Sequence, residues 1–435
     1  MRISQCTPRV ILLLVLVLLG STVPAVWAAV NTLLQVQSEF VVNSAGDEND
    51  ALPGDGLCQT ASGDCTLRAA LEEANALPGV ETITFNIPGA GPHLIRPESP
   101  LPRITEAIIL DGTTQPGYEG QPLIELAGSQ AGQQASGLTI TASDSTVRGL
   151  AIHSFDRSGI HLSGGQNNQI EANYLGTTGT VAHGNQIGIL VEGSTLNVIG
   201  GNEPGDGNLI SGNEVGVYIY GAGTSENRIA GNLIGTDARG TAVLGNEYGI
   251  RITAAAGNLV GGDSPAARNV IAGNETGIYI QGEGAGGNRT WGNYLGLDVT
   301  GAVILGNDTV GVYLLDAPDN QVGGPNAAGN HIAGGELGVY TWPGVSRQPG
   351  PQQPNRDDGR AGHPGPAAQR WGVGGWGQEQ QYWWLPGRSW QSHCQPALWR
   401  AAARVGRRQH AHSKQYPGCH WRCGRRGEWR AASSE

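Results

Sequence analysis

Two rows of chemically useful side chains recur along the middle of this 435-residue chain. Both belong to an octet that repeats with small changes, written GNEVGVYI at 212, GNEYGIRI at 245 and GNETGIYI at 273. Its third position supplies the acidic row Glu214, Glu247, Glu275, Asp308 and Glu336. Its seventh position, extended to neighbouring repeats, supplies the row Leu190, Tyr218, Arg251, Tyr279, Tyr313 and Tyr340.

The acidic row suggests three interpretations. Strands of stacked coils lie about 4.8 Å apart, and this spacing resembles the carboxyl separation of retaining glycosidases. Calcium held between neighbouring carboxylates would relieve their like-charge repulsion. Alternatively, these positions are solvated turns that tolerate acids. Repetition argues against catalysis, since a catalytic pair differs from its neighbours, and we assign no catalytic residue. A second calcium candidate, the loop with Asp47, Asp50 and Asp55, lacks EF-hand spacing.

The tyrosine and arginine row is a candidate ligand-binding strip. Exposed Tyr and Arg side chains can stack on sugar rings and hydrogen-bond to hydroxyl groups, because a tyrosine joins an apolar ring to a polar tip. The alternative is that the aromatic ladder only stabilises adjacent strands. The histidines His153, His161 and His183 have no recognisable ligand spacing, and the chain shows no P-loop, HExxH motif or serine–base–acid set.

The elements that position both rows form a repeating β architecture. Successive acidic positions are 33, 28, 33 and 28 residues apart, so two unequal units make one 61-residue superrepeat. Repetition on this scale is typical of a solenoid. We predict coils of about 22 residues with three short strands and an added loop, in which Ile278 and Ile280 point inward and Tyr279 outward. Asparagines at equivalent corners are expected to form amide ladders, and the 70 glycines to supply the turns.

Two segments carry a family resemblance. The stretch CTLRAALEEAN (Cys65 to Asn75), with ITFNIPG and LDGTTQPGYEGQPLIEL after it, resembles the CSLREA domain of secreted bacterial surface proteins that continue as β-helices. Residues 80 to 340 resemble the pectate-lyase-like and NosD-like repeat families. The resemblance implies an all-β fold, a right-handed parallel β-helix solenoid with a small helix-containing N-terminal cap.

The N-terminal region divides into two predicted parts. Residues 1–28 read as a signal peptide, with Arg2 and Arg9 before an apolar run too short to span a bilayer. Residues 29–79 form the CSLREA-like module, in which a helix begins at Asp64 as N-cap and stops at Pro78. Cys58 and Cys65 are expected to form a local disulfide in an exported chain.

The last segment, residues 341–435, departs from the language of the repeats. It holds nine of the eleven tryptophans and 14 of the 26 Lys and Arg residues. Back-translation of Gln348 to Asp358 and reading one base later permits NLVHNNLIGTT, and the same shift turns QQYWW (380–384) into NSIGG. Both strings fall in phase with the repeats. We therefore predict a frameshifted tail without a native fold; a basic linker, a nucleic-acid-binding tail and a zinc site are the alternatives.

The residues favour a secreted or cell-surface protein with a structural or adhesive role, which binds a polysaccharide or another cell-envelope glycan. The alternative is a polysaccharide lyase or glycoside hydrolase of the pectate-lyase-like type, an inference by analogy of fold alone. Residues 1 to 340 hold 12 Lys and Arg against 32 Asp and Glu, a net charge of −20 that argues against nucleic acid as a partner. No membrane span is expected in the mature chain, and calcium is the one cofactor suggested.

Overall fold

The chain winds into a right-handed parallel β-helix. The computed structural model describes residues 38–325 and 328–342, together with two short strands at 421–423 and 429–431. Each coil visits three sheets in turn, and every strand of the solenoid pairs in parallel with its counterparts in the coils before and after it. The predicted signal peptide at 1–28 and most of the predicted frameshifted tail lie outside the described residues.

The strands of the solenoid fall into three sheets. Sheet I contains β1 (Glu39–Val42), β2 (Glu81–Phe85), β4 (Ile108–Asp111), β7 (Thr146–Arg148), β10 (Gln169–Glu171), β13 (Val198–Gly200), β16 (Arg228–Ala230), β19 (Leu259–Gly261), β22 (Arg289–Trp291) and β25 (Gln321–Val322). Sheet II contains β3 (His93–Ile95), β5 (Ile124–Ala127), β8 (Leu150–His153), β11 (Tyr174–Leu175), β14 (Leu209–Ile210), β17 (Leu233–Ile234), β20 (Val270–Ile271), β23 (Tyr294–Leu295) and β26 (His331–Ile332). Sheet III contains β6 (Leu138–Ile140), β9 (Ser158–Ser163), β12 (Ile187–Glu192), β15 (Val215–Tyr220), β18 (Tyr248–Thr253), β21 (Thr276–Gln281), β24 (Val310–Leu315) and β27 (Leu337–Trp342).

The core is a stack of branched aliphatic side chains inside the coils. Alternation along β21 buries Ile278 and Ile280 and leaves Tyr279 partly exposed, as the sequence predicted. The register places Ile278 against Ile250 of the preceding coil and Val312 of the following one, and all three are fully buried. Because each coil continues the same columns, the apolar interior runs along the helix, and burial of each side chain contributes about 1.5–3 kcal/mol.

Buried asparagines line all three corners of the coils and confirm the predicted amide ladders. At each step the side-chain amide of one asparagine donates to the side-chain oxygen of the next, for example from Asn208 to Asn232 at 2.9 Å and from Asn232 to Asn269 at 3.0 Å. The corner before sheet I holds Asn168, Asn197, Asn227, Asn258 and Asn288. The corner before sheet II holds Asn173, Asn208, Asn232, Asn269, Asn293 and Asn330. The corner before sheet III holds Asn185, Asn213, Asn246, Asn274 and Asn307.

The N-terminal module covers the first coil and shares a sheet with it. Its strand β1 pairs in parallel with β2, so the predicted boundary at residue 79 does not separate two sheets. Its helix α1 (Leu67–Ala76) begins at Thr66, whose side chain accepts from the Ala69 amide, so the prediction of Asp64 as N-cap is wrong. Thr66 wins because its extended backbone places its hydroxyl at the first free amide of the helix. Cys58 and Cys65 form a disulfide bond. Among the described residues, no helix has the length and apolar character needed to cross a membrane.

The chain divides into two compact units, Met1–Leu385 and Pro386–Glu435. The solenoid belongs to the first. The second is described by an antiparallel hairpin of β28 (Trp421–Cys423) and β29 (Trp429–Ala431).

Candidate functional site

The outward side of sheet III carries a continuous surface of aromatic and cationic side chains, which we call the aromatic face. Strand pairing places Tyr218 beside Arg251, Arg251 beside Tyr279, and so on to Tyr340, so the structure brings the five predicted ligand-binding residues into one column. Further tyrosines and a tryptophan from neighbouring columns join them. The aromatic face therefore comprises Tyr218, Tyr220, Tyr248, Arg251, Tyr279, Tyr313, Tyr340 and Trp342.

Ring contacts order the aromatic face along the helix axis. The ring centroid of Tyr313 lies 5.1 Å from that of Tyr279 and 5.0 Å from that of Tyr340, and both pairs meet edge to face. Tyr248 packs against Tyr279 at 5.6 Å. Because these pairs hold the rings in place, little side-chain entropy is left to lose when a ligand binds. Tyr220 and Trp342, the most exposed members, remain 43% and 45% accessible to solvent.

Arg251 lies among three tyrosine rings. Its guanidinium carbon is 5.1 Å from the centroid of Tyr218, 5.5 Å from that of Tyr248 and 5.7 Å from that of Tyr279, within the range of cation–π attraction. Its buried Nε atom has no hydrogen-bond partner among the described residues. Arg251 thus fixes the rings around it, and a donor remains at the aromatic face.

The acidic row forms a rim where the chain enters sheet III. Glu214, Glu247 and Glu275 each follow a buried ladder asparagine, and their side chains are exposed. Desolvation raises the pKa of Glu247, and the charges of Glu214 and Glu275 raise it further, while Arg251 opposes both effects. The carboxylates of neighbouring coils therefore feel one another. Their negative potential borders the aromatic face and disfavours a polyanionic ligand.

The described residues contain no group of three or more His, Cys, Asp or Glu side chains arranged to hold a metal ion. Calcium at the acidic row stays a prediction. In the second candidate loop, the carboxylates are engaged within the protein: Asp47 forms a salt bridge with Arg68 at 2.8 Å. Asp50 accepts hydrogen bonds from the amides of Leu52 and Gln59. These bonds account for the aspartates without an ion.

Two buried histidines near the N-terminal part of the solenoid were missed by the sequence reasoning. His161 lies in the same column as Tyr218, and its Nε2 is 3.3 Å from a carboxylate oxygen of Glu192. Burial lowers the pKa of His161, and the charge of Arg157 lowers it further. His153 meets His183 with ring centroids 5.2 Å apart. Their separation of 30 residues is close to the repeat length, and that was the signal available in the sequence.

The described residues form two open clefts away from these rows. One is lined by β1 and the disulfide loop, with a volume of about 360 Å³. The other has a volume of about 410 Å³ and is lined by residues that include Gly128, Ser154 and Gly184. Neither cleft includes a member of the acidic row or the aromatic face. The acidic row therefore lies on an open rim, and neither of these enclosures would exclude water around its carboxylates.

Comparison with known proteins gives one family match. Residues 104–331 match the model of the family described as periplasmic copper-binding protein (NosD). No curated protein sequence matches the chain significantly. Among solved structures, similar ones include the Dettilon tailspike protein, with 12% identity, a TM-score of 0.33, and coverage of 70% of this chain and 69% of that one. The A-module of the Azotobacter vinelandii mannuronan C-5 epimerase has 12% identity, a TM-score of 0.22, and coverage of 72% and 100%. A protein of Geobacillus virus E2 has 10% identity, a TM-score of 0.29, and coverage of 70% and 60%.

Proposed function

The chain belongs to the NosD family, and we propose that it works outside the cytoplasm as a β-helix protein that holds a glycan on its aromatic face. The column of Tyr218, Arg251, Tyr279, Tyr313 and Tyr340 carries this proposal. A periplasmic family description and the predicted signal peptide support an exported location. The resemblance of residues 29–79 to a CSLREA domain, typical of secreted surface proteins, remains part of the proposal.

The geometry suits an extended ligand that lies along the helix axis. Neighbouring coils repeat every 4.8 Å or so, and each of four coils contributes a ring or guanidinium to the same column. The edge-to-face pairs leave ring surfaces and hydroxyl groups at the protein surface. A polysaccharide chain offers apolar ring faces and hydroxyls in the same repetitive order, so several weak contacts would add along its length.

The charge of the region points to a neutral glycan. The acidic rim borders the aromatic face, and residues 1 to 340 carry a net charge of −20. A uronate polymer would be repelled by this potential, whereas a neutral chain would not. This argument also weighs against the alternative function of a lyase that acts on acidic polysaccharides.

A hydrolase remains the second candidate, and one observation favours it. Proximity to Glu214 and Glu275 contributes to the raised pKa of Glu247, and a general acid requires a carboxyl that keeps its proton. Its exposure and its place in a row of equivalent acids favour a binding role instead.

The copper named in the family description is tested by the donors that the chain offers. Copper sites draw on imidazole, thiolate and thioether ligands. Cys58 and Cys65 are joined in a disulfide, and the single methionine of the chain is Met1. A closed cage of three protein ligands is absent from the described residues. The donors that they do bring together are the imidazoles of His153 and His183, which fit an open site with only part of its coordination supplied by protein.

The experiment is a screen of the full chain against immobilised neutral and acidic polysaccharides, with product analysis for reducing and unsaturated ends. We expect retention on at least one neutral glycan without turnover. Release of reducing ends that disappears in Glu247→Gln would favour the hydrolase. Failure to bind any glycan of the panel, or retention on uronate polymers alone, would contradict the proposal.

A further inference from the structure

The pair of histidines beneath sheet II is held together by the backbone. His153 is the last residue of β8, and His183 lies in the loop that leads to β12. The amide of Ser154 donates to the His183 carbonyl at 2.9 Å, and the amide of His183 donates to the Gly176 carbonyl at 2.8 Å. These bonds fix the 5.2 Å approach of the two rings, which are inclined by 37°.

The free nitrogen of His153 lacks a partner. His153 is 7% exposed, and its Nδ1 lies 3.0 Å from the Ser154 hydroxyl. Its Nε2 has no hydrogen-bond partner among the described residues. The nearest carboxylate oxygen, on Glu125, is 3.7 Å away, beyond hydrogen-bond distance. If Nδ1 donates to the hydroxyl, the Nε2 lone pair faces a carboxylate, and a cation between the two would satisfy both.

The site has an opening to solvent. His183 is exposed, and the cleft of about 410 Å³ is lined by Ser154 and Gly184, the residues that follow the two histidines. An ion can therefore reach the pair, and the His183 ring has room to turn towards it. Ligand nitrogens bind a transition metal at about 2.0–2.1 Å, so imidazole rings that share one ion lie about as close as these two.

We propose that His153 and His183, with Glu125 beside them, form an open site for a divalent transition-metal ion. Two imidazoles and one carboxylate are donors that Cu²⁺ accepts, and among first-row divalent ions such a set binds Cu²⁺ most tightly. Water completes the coordination, so the ion stays exchangeable. The site lies on coils N-terminal to the aromatic face and stands or falls independently of glycan binding.

The test is a titration of the full chain with Cu²⁺ alone, in a non-coordinating buffer at neutral pH, followed by calorimetry and electron paramagnetic resonance. The variant is His183→Ala, an exposed position whose loss leaves the core intact. The matched control is His331→Ala, an exposed imidazole of sheet II that packs on Tyr294 instead. Glu125→Gln keeps the shape of the carboxyl side chain and removes its charge.

We expect His183→Ala to weaken the tightest Cu²⁺ binding at least tenfold and to remove one nitrogen from the resonance spectrum. Glu125→Gln weakens it about threefold or more, and His331→Ala changes it less than twofold. Zn²⁺ binds the unaltered chain more weakly than Cu²⁺. Unchanged affinity and spectrum in both His183→Ala and Glu125→Gln would overturn the site, and so would an equal loss in His331→Ala, which would indicate scattered surface binding.

Discussion

The asparagine ladder offers a direct test of how the coils are held in register. Asn232 occupies the corner before β17, and its side-chain oxygen accepts from both the backbone amide and the side-chain amide of Asn208. Its own amide donates to the carbonyl of Ile199 and to the side chain of Asn269. The change Asn232→Ala removes this link while leaving the backbone of the corner compatible with the new residue.

The expected cost follows from the donors that it orphans. Asn208 loses the acceptor of two buried N–H groups, and each unsatisfied buried donor costs about 1–3 kcal/mol. We therefore expect a loss of about 4 kcal/mol in local stability. The control is Asn202→Ala, an exposed side chain that only accepts from Arg228, and its expected cost is about 0.5 kcal/mol.

Hydrogen exchange is the suitable assay because a solenoid can open one segment at a time. Since about 1.4 kcal/mol corresponds to a factor of ten, amides of β14, β17 and β20 should exchange several hundred to a thousand times faster in Asn232→Ala. In Asn202→Ala they should change less than threefold. Equal protection in the two variants would refute the idea that the ladders hold the coils together.

Three further predictions concern the cap, the acidic rim and the tail. Replacing Cys58 and Cys65 by serine should destabilise the N-terminal module by about 2 kcal/mol on the loop-entropy model, measured as faster exchange in α1, and unchanged exchange there would contradict a stabilising role. The raised pKa of Glu247 means that its ionisation opposes folding, so stability is full below the unfolded pKa and falls as the pH rises through the folded pKa. Glu247→Gln should therefore raise the urea midpoint at pH 7 and leave it unchanged at pH 3, whereas a lowered midpoint at pH 7 would show that the carboxylates do not repel one another. Genomic resequencing across codons 335 to 350 should reveal an extra or missing base if the tail is frameshifted, and confirmation of the present frame would disprove that hypothesis.

Much of the fold was predictable because the repeat ties sequence position to position in space. Alternation with a period of two identified Ile278 and Ile280 as core residues and Tyr279 as outward. The repeated Asn placed amides at successive corners, and the ladders followed. The helix start at Thr66 was missed because Asp64 is also a good capping residue, and the choice between them depends on the backbone of the turn.

The candidate sites were predictable only where they repeat. The column from Tyr218 to Tyr340 uses one position of the octet, so its members could be aligned without a structure. Tyr220, Tyr248 and Trp342 join the aromatic face from other columns, and only strand pairing shows this. The pair of His153 and His183 arises from a strand end and a loop, and its contact depends on the path of a loop that the repeat does not specify.

The central claim is that the aromatic face binds a glycan, and the most direct measurement compares two tyrosines on different faces. Tyr279→Ala removes a ring from the middle of the column, whereas Tyr294→Ala removes a partly exposed ring of sheet II that packs on Arg268 and His331. The dissociation constant of the full chain for the neutral polysaccharide that it retains should rise about tenfold in Tyr279→Ala, as expected when a stacking contact of about 1.4 kcal/mol is lost, and less than twofold in Tyr294→Ala. Equal affinities of the two variants would contradict the account.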